Sequence, residues 1–443
     1  MEQGGLITVP GDIPFEGLNL TEVMAGEIGS RDKAFPFSAK PLTIEQVGAQ
    51  GWNSLRYPFL TPVMVLKESA VSDNLALMAR YCQSHGVSLA PHAKTPLSPQ
   101  LAERQLRAGA WGLTVANVSQ ARVLQQAGAK RLLVANEVVD SASARWIAEA
   151  MNLDLQLELY CLVDSTAGVE LLTKHLIAGK AHRRLPVLIE IGIPGARCGC
   201  RTLEQALDVA AAVRASPSLQ LCGVEVYENL FVSESPDDTR RQIDDLLGLV
   251  RRITTVLDER SAFQSCQEII VTGGGSMWFD RVVELLGGAW NLSRPVRTVI
   301  RPGCYVTHDF VNYERLSPMA ERNIGQGRLR QGLELWSRVL SLPEPGLAIL
   351  DFGKRDAASD RGSPIPFMMM SNSIFTQLSQ EDYEIAHLND HHARLQVPSY
   401  SELQVGDLVG CYVSHPCTSF DKWPLIPVVD DKYNVLDAIR SLL

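Results

Sequence analysis

Residues 112–136, GLTVANVSQARVLQQAGAKRLLVAN, contain the pattern that decides the fold. The apolar run GLTVAN is followed by VSQARVLQQAG, whose apolar residues recur at helical spacing, and then by a second apolar run, RLLVAN. The glycine that ends the middle segment is typical of a helix C-terminus. A strand, a helix and another strand in this order predict a βαβ unit with parallel strands.

The same alternation extends in both directions along the chain. Short apolar runs begin at eight positions: Val87, Gly112, Arg131, Leu155, Leu185, Leu219, Glu268 and Val296. Eight strands with intervening helices over roughly 220 residues predict a (β/α)8 barrel. An open doubly wound sheet is the alternative, but no GxGxxG follows the first strand. A further strand, PVMVL at residues 62–66, precedes this series.

The alternation stops near residue 310. The segments RVLSL, LAILDF, YEIAHL, ARLQV and DLVGCYV are short and β-like, and turn residues separate them, so we predict an all-β C-terminal domain. The chain then divides into an N-terminal arm (1–55), a barrel (56–310) and a β domain (311–443). Whether the arm joins the β domain stays open.

Composition limits the classes of function. The 443 residues are 46% hydrophobic and 21% charged, as in soluble globular proteins. Fifty acidic residues against 41 basic ones argue against a nucleic-acid partner. No apolar run reaches the ~20 residues of a membrane helix, and the N-terminus lacks a secretory signal. The nine cysteines form no CxxC pair, so we expect reduced thiols and a cytoplasmic location.

Two features lie where a barrel places its active site, at the carboxyl ends of the strands. The run from Gly273 to Ser276 offers backbone N–H groups to an anion such as phosphate. Lys94 ends an apolar strand and could form a Schiff base. A flexible turn and a salt-bridged lysine are the simpler interpretations, but the two features in one barrel indicate pyridoxal 5'-phosphate (PLP).

A third feature is His415-Pro416-Cys417, which follows the strand DLVGCYV. If the backbone stays extended, the two outer side chains face the same side. Histidine and cysteine suit zinc, and a pair leaves the open positions that a catalytic metal needs. A chance occurrence is the alternative for so short a motif.

Together these motifs resemble those of one family. PHAKT around Lys94, RCG at 197–199, TGGGS at 272–276, RPGxY at 301–305 and HPCTSFDKW from His415 are similar to motifs of fold-type III PLP enzymes. Within that fold type the chain resembles the D-serine dehydratase and D-threonine aldolase group over roughly residues 55–443. The resemblance implies an alanine racemase-like barrel, a β domain, and a head-to-tail homodimer with sites near the subunit interface.

The resemblance also assigns roles to residues. It implies a Schiff-base lysine (Lys94), a phosphate loop (Gly274, Gly275, Ser276), further cofactor-binding residues (Arg197, Tyr227, Tyr305) and a metal pair (His415, Cys417). Asp351 and Asp356 match a segment near the active site. His392 lies where relatives carry an EHG-like motif, but a surface or structural histidine is the favoured interpretation. The chain departs from the pattern at Pro96, where many relatives have histidine, and at His391-His392-Ala393.

We therefore expect elimination of water from a D-β-hydroxy amino acid such as D-serine or D-threonine, giving a 2-oxo acid and ammonia. Thiolate at Cys417 favours zinc, whereas a carboxylate there would suit manganese or magnesium. Retro-aldol cleavage of the D-threonine aldolase type is the main alternative. A racemase, a non-catalytic PLP carrier and a metal-dependent hydrolase without PLP are others. We expect a small-molecule D-amino acid as partner, with no nucleic acid and no membrane.

Overall fold

The computed structural model describes residues 15–229, 231, 235–311, 313–320, 322 and 324–443. They form two compact units. The barrel unit comprises residues 15–18, Ala79–Lys94 and Glu103–Gly303. The β unit comprises Asn19–Met78, Thr95–Ala102 and Cys304–Leu443.

The strands within the described residues are numbered in chain order. They are β1 (Glu27–Ile28), β2 (Leu42–Thr43), β3 (Val63–Lys67), β4 (Ser88–Leu89), β5 (Leu113–Val115), β6 (Arg131–Glu137), β7 (Glu158–Val163), β8 (Leu185–Ile191), β9 (Leu219–Val226), β10 (Ile269–Gly273), β11 (Val296–Ile300), β12 (Leu333–Glu344), β13 (Leu347–Leu350), β14 (Ile365–Ser371), β15 (Ile374–Gln377), β16 (Glu384–Leu388), β17 (Ala393–Gln396), β18 (Leu408–Tyr412), β19 (Leu425–Val429) and β20 (Val435–Arg440).

The α-helices follow the same convention. They are α1 (Thr21–Met24), α2 (Glu68–His85), α3 (Pro99–Arg107), α4 (Val118–Gln126), α5 (Ser141–Leu153), α6 (Thr166–Ala178), α7 (Leu203–Ala215), α8 (Pro236–Glu259), α9 (Phe279–Leu286), α10 (Tyr313–Leu316) and α11 (Pro416–Phe420). Short 3-10 helices span Ile44–Gln50 and Cys304–Val306. In the part of the chain that the structure describes, no helix combines the length and the apolar character that crossing a membrane requires.

The barrel unit is built on eight parallel strands in the order β4-β11-β10-β9-β8-β7-β6-β5. Backbone hydrogen bonds also join its two end strands. Trp111 N donates to Leu89 O at 2.7 Å, and Thr114 N donates to Pro91 O at 3.0 Å. The sheet therefore closes on itself, and the predicted alternating α/β barrel followed by a β domain is confirmed.

Side-chain caps start the helices directly after the strands. Asn117, Asp140, Ser165 and Thr202 precede α4, α5, α6 and α7, and each side chain accepts a backbone N–H of the first turn. Such caps typically contribute about 1 kcal/mol each. The connections from β5, β6 and β7 to their helices are only two or three residues long, whereas residues 192–202, which include Arg197, separate β8 from α7.

The strand at residues 62–66 belongs to the β unit, although the sequence analysis included it in the segment 56–310. β3 pairs antiparallel with β12 and parallel with β19. All five of its residues are buried, which explains a run that is apolar on both faces. Residues of the N-terminal arm, such as Ile44 and Val47, pack in the same core as Trp336 and Leu425.

The β unit contains more strands than the sequence pattern predicted. The expected segments form β12, β13, β16, β17 and β18. β14, β15, β19 and β20 are additional. β14 pairs with β18 through an irregular register, and both strands of the pair β19–β20 include buried residues. Such strands depend on their partners more than on an alternating pattern of their own.

Candidate active site

Lys94 lies at the end of the segment that continues β4. His92 forms a parallel bridge with Thr114, and Ala93 N donates to Thr114 O at 2.7 Å. Ala93 is buried, whereas His92 and Lys94 are partly exposed on the alternate positions. The Nδ1 atom of His92 is buried and has no hydrogen-bond partner among the described residues. Buried side-chain nitrogens are usually hydrogen-bonded, so this unpaired atom two residues from a lysine is available to a bound molecule.

Three positively charged side chains lie near His92: Lys94, Arg197 and Arg301. Burial holds the pKa of His92 well below its usual range, and the charges of Lys94, Arg301 and Arg197 lower it further. Lys94 and Arg301 follow the strands β4 and β11, and Arg197 lies in the loop between β8 and α7. The predicted Schiff-base lysine and the predicted cofactor arginine therefore act on the same imidazole, which stays neutral.

The glycine run after β10 forms a cradle for an anion, and Glu228 occupies it. The backbone N–H groups of Gly274 and Gly275 donate to the two carboxylate oxygens of Glu228 at 2.9 and 2.7 Å. A Cβ added at Gly275 would lie 3.1 Å from a ring carbon of Tyr227, so a larger residue there would require the ring to shift. Glu228 is fully buried, and burial raises its pKa while these two N–H groups oppose the rise.

The engagement of Glu228 changes the prediction for the phosphate loop. Two of the N–H groups assigned to phosphate already bind a carboxylate, so a phosphate there must share or displace Glu228. Ser276 follows the two glycines directly in the same loop. The sequence analysis did not single out Glu228 as a site residue. Its position next to Tyr227 at a strand end was the available signal.

Arg197 and Tyr227 are brought together as a pair. The guanidinium carbon of Arg197 lies 4.3 Å from the ring centroid of Tyr227, within the range of a cation–π contact. Asn229 donates its side-chain amide to the Tyr227 hydroxyl oxygen at 3.2 Å. This contact joins the two predicted cofactor residues, Arg197 in the loop after β8 and Tyr227 directly after β9.

A buried ion pair between Arg301 and Glu225 lies beneath these loops. The guanidinium of Arg301 donates to Glu225 and, at 3.2 Å, to the Thr272 hydroxyl. Its backbone N–H donates to Gly274 O at 3.0 Å. Arg301 and Glu225 are 6% and 2% exposed, so the pair is withdrawn from water. Arg301 therefore ties together the ends of β9, β10 and β11, a role that its place in the RPGxY motif did not reveal.

An acidic group lies at the ends of β6 and β7. One donor atom each of Glu137, Asp164 and Cys198 lies within 4.8 Å of the others, the one group of three or more candidate metal donors found among the described residues. Asp164 also accepts Gly199 N at 3.0 Å, which gives it a structural role. Nearby, burial and then the charges of Glu225 and Glu137 raise the pKa of Glu190 to about 9.

These residues of the barrel unit fit PLP. A partly exposed lysine ends a strand, an unpaired buried nitrogen lies two residues from it, and a glycine loop offers backbone N–H groups to an anion. Lys94 and the glycine loop would hold the aldehyde and phosphate ends of the cofactor. Tyr305, also predicted to bind it, lies in the β unit and is 2% exposed in the short helix Cys304–Val306.

In the β unit, His415 and Cys417 meet through a tight turn. The expectation of an extended backbone was wrong, because His415 has the left-handed φ of 45° and Pro416 begins α11. Proline is favoured at the first position of a helix, and it ends the strand geometry. His415 N donates to Asp309 Oδ2 at 3.0 Å, which holds this conformation. The side chains of His415 and Cys417 hydrogen-bond each other.

Hydrogen bonds define the charge state of this pair. Cys304, His415 and Thr95 bond the Cys417 sulfur and hold its pKa well below the usual range, against the effect of burial. The bond to Cys417, together with Asp360, raises the pKa of His415 to about 9. The pair therefore favours thiolate and imidazolium in the absence of a metal.

Three neighbours of the pair were not predicted. Asp360 Oδ2 lies 2.6 Å from His415 Nδ1. Thr95 Oγ1 and Cys304 Sγ lie 3.2 and 3.7 Å from Cys417 Sγ. Thr95 belongs to PHAKT and Cys304 to RPGCY, so both lay inside motifs that the sequence analysis had already quoted. Asp360 carries no motif of its own.

The donor set fits a zinc ion. Imidazole and thiolate are zinc ligands, and the contact of His415 Nδ1 with a carboxylate is the outer partner that metal-binding histidines usually have. Because Nδ1 of His415 makes this contact, Nε2 is the atom left to bind a metal.

The other acidic residues suggested by resemblance have structural partners in the β unit. Asp351 accepts hydrogen bonds from Thr61 and from Arg338 N. Asp356 pairs with Lys33 at 2.7 Å and accepts Gly353 N. His392 is exposed. None of these contacts assigns them a chemical role.

Comparisons with known proteins match both parts of the chain. The family model described as alanine racemase, N-terminal domain, matches residues 66–267, and the putative serine dehydratase domain matches residues 332–429. The chain is 26% identical over 310 residues to 3-hydroxy-D-aspartate aldolase of Paracoccus denitrificans (strain Pd 1222), covering 69% of this chain and 75% of that protein. It is 31% identical over 140 residues to D-threo-3-hydroxyaspartate dehydratase of Delftia sp. (strain HT23), covering 31% and 35%.

A solved structure agrees with these matches. D-threonine aldolase from Filomicrobium marinum superposes with a TM-score of 0.70 at 25% identity, covering 87% of this chain and 95% of that one. A racemase-type barrel followed by a serine dehydratase domain defines the class as the fold-type III PLP enzymes. The chain resembles the D-serine dehydratase and D-threonine aldolase group of that class, and the relatives named here are lyases that act on D-amino acids.

Proposed function

We propose that the protein is a PLP- and zinc-dependent dehydratase, an ammonia-lyase that converts a D-β-hydroxy amino acid such as D-serine or D-threonine to a 2-oxo acid and ammonia. The observation that carries the proposal is the sulfur donor Cys417 beside His415. Thiolate and imidazole select zinc over manganese and magnesium. Elimination needs a strong Lewis acid, since hydroxide is a poor leaving group.

In the barrel unit, Lys94 carries the proton transfer. PLP, when bound, supplies an electron sink for the substrate's α-carbon. Lys94 would bond its aldehyde carbon, and the freed amine would then take the α-proton. Arg197, whose guanidinium lies over the Tyr227 ring, would orient the cofactor ring. The neutral His92 would accept a hydrogen bond at Nδ1 from the bound molecule. General base catalysis of this kind typically contributes about 10²–10⁴-fold.

In the β unit, the metal pair supports departure of the hydroxyl group. Zinc, when bound, supplies Lewis-acid activation of the β-hydroxyl. His415 would bind through Nε2, because Asp360 holds Nδ1 at 2.6 Å. Thr95 would donate to the Cys417 sulfur and orient it.

Retro-aldol cleavage to glycine and an aldehyde is the second candidate. It is supported by the relatives named as aldolases, one of which covers most of this chain in sequence and another in structure. In that reaction the β-hydroxyl loses a proton and the Cα–Cβ bond breaks. A hard metal bound by a carboxylate would suit it better than the sulfur donor found here.

A PLP carrier without catalytic activity has less support. Such a protein needs only the barrel, whereas here a serine dehydratase domain matches residues 332–429. A hydrolase without PLP would leave Lys94 and the glycine cradle without roles. The family resemblance also supports a homodimer and a cytoplasmic location as parts of the proposal. Light scattering at several concentrations tests the dimer.

Turnover of D-serine and D-threonine by PLP-loaded protein tests the proposal, with EDTA and with zinc added back. Both 2-oxo acid and aldehyde are measured. The proposal expects 2-oxo acid and ammonia, lost with EDTA and restored by zinc. Glycine and acetaldehyde from D-threonine would establish the aldolase instead. Bound PLP without turnover of either D-amino acid would support the carrier.

A further inference from the structure

Cys304 places a second thiol against the metal pair. It lies in the sequence RPGCY and begins the short helix Cys304–Val306, whose following residues bond back to it: His308 N donates to Cys304 O at 2.7 Å. Its sulfur lies 3.7 Å from Cys417 Sγ and 3.8 Å from Thr95 Oγ1. The two sulfur atoms are in van der Waals contact, although 112 residues separate them in the sequence.

The position of Cys304 does not suit a third metal ligand. Ligands of one tetrahedral zinc ion lie within about 4 Å of one another, since each bond is about 2.0–2.3 Å long. Cys304, His415 and Cys417 do not form a group of donors that all lie within 4.8 Å in the described part of the chain. Cys304 therefore contacts Cys417 without completing a joint site with His415.

We propose that Cys304 and Cys417 are a redox pair that forms a disulfide under peroxide and thereby removes Cys417 from metal binding. The Cys417 sulfur attacks a peroxide oxygen, the O–O bond breaks, and Cys417 becomes a sulfenic acid as water leaves. The Cys304 sulfur then attacks the Cys417 sulfur, the S–S bond forms, and hydroxide leaves as a second water. The two thiols lose two electrons, which reduce one hydrogen peroxide.

Exposure assigns the order of the two steps. Cys417 is partly exposed, whereas Cys304 is 3% exposed. Peroxide therefore reaches Cys417 first, and Cys304 is the resolving thiol. Redox-sensing cysteines are commonly accessible and lie beside a resolving cysteine. The consequence for metal binding rests on the proposed function, but the disulfide itself does not.

Peptide mapping under non-reducing conditions tests the pair directly. Metal-free and zinc-loaded wild-type protein are treated with hydrogen peroxide, and zinc binding is measured before and after dithiothreitol. We expect a linked Cys304–Cys417 peptide, loss of zinc binding in step with it, and recovery of both thiols and zinc binding on reduction. Bound zinc should slow the oxidation. The proposal would be overturned if no linked peptide formed and Cys417 alone were oxidised to sulfinic or sulfonic acid.

The variant Cys304→Ser tests whether Cys304 acts as the resolving thiol or is only a structural neighbour of Cys417. Without the resolving thiol, Cys417 should oxidise beyond the sulfenic stage, and dithiothreitol should no longer restore zinc binding. Cys82→Ser, which removes a buried thiol of α2, is the matched control and should behave as the wild type. Full recovery of Cys304→Ser would overturn the proposal. A disulfide in a protein whose reduced form binds no zinc would support the pair and contradict the proposed metal role.

Discussion

The barrel unit and the β unit hold their reactive groups in different ways. In the barrel unit the charges are buried and fixed, since Glu228 accepts two backbone N–H groups and Arg301 pairs with Glu225. In the β unit Cys417 is partly exposed. Thr95 Oγ1 and Cys304 Sγ lie 3.2 and 3.7 Å from its sulfur atom.

The difference corresponds to what each unit would bind. Buried ions fixed by several hydrogen bonds make an environment of constant shape and charge, which suits an organic cofactor held covalently. A thiolate beside an imidazolium can exchange its partner among a proton, a metal ion and another sulfur. The following variants test this contrast, from the largest expected effect to the smallest.

Lys94→Arg should abolish the chemistry of the barrel unit while keeping the positive charge. Arginine stays protonated and cannot form the Schiff base or remove a proton. We expect turnover to fall by about 10⁴-fold or more, the upper range for a general base. Loss of the visible absorption of bound PLP is the second readout. Lys174→Arg on the exposed face of α6 is the control, and turnover of Lys94→Arg close to that of this control would exclude the role.

Arg301→Met should lower the free energy of unfolding, because it leaves Glu225 buried without its counter-ion. Breaking a buried pair costs about 3–5 kcal/mol. Urea denaturation of the metal-free, cofactor-free protein measures the loss, and Glu225→Gln combined with Arg301→Met should recover part of it.

The contrast with the β unit sharpens this measurement. Asp360 is 49% exposed, so Asp360→Asn should change the free energy of unfolding by less than about 1 kcal/mol. Equal losses from the Arg301 and Asp360 variants would contradict the distinction between fixed and exchangeable charges.

Cys417→Asp should weaken zinc binding and elimination together. A carboxylate is a harder ligand than thiolate, and Lewis-acid activation supplies several kcal/mol, so we expect a loss of about 100-fold in kcat with zinc. Zinc competition with a chelator measures the affinity. Cys82→Ser is again the control. Unchanged elimination would show that Cys417 does not bind the catalytic metal.

Glu190→Gln should change how the stability of the barrel unit depends on pH. Burial, and then the charges of Glu225 and Glu137, raise the pKa of Glu190 from 4.5 to about 9. The folded protein therefore binds the proton more tightly, and this stabilisation is lost as pH rises from 4.5 towards 9. The slope is at most about 1.4 kcal/mol per pH unit.

Unfolding at pH 6 and pH 9 measures that change. The wild type should lose more stability than Glu190→Gln over this interval, since glutamine does not titrate. Asp154→Asn, at a partly exposed pair with Lys130 on the same unit, is a control whose pH slope in this range should match the wild type. A wild-type slope equal to that of Glu190→Gln would show that Glu190 is ionised throughout.

Local patterns predicted most of the fold. The eight barrel strands follow from short apolar runs separated by capped helices, because those signals lie within each βα unit. The sequence left the sheet of PVMVL undetermined, since a fully buried strand has the same composition in either sheet and only its partners, β12 and β19, distinguish them. β14, β15, β19 and β20 were not predicted, because such strands depend on their pairing partners more than on an alternating pattern of their own.

The sequence by itself determined the chemical groups: a lysine at a strand end, a glycine run after another, and a histidine and a cysteine two residues apart. The tertiary structure alone decided which groups act together. Glu228 reaches the glycine loop across 46 positions of the chain, and Cys304 reaches Cys417 across 113. Such contacts depend on strand register and on the turn at His415, which are set by packing of distant segments rather than by any local pattern.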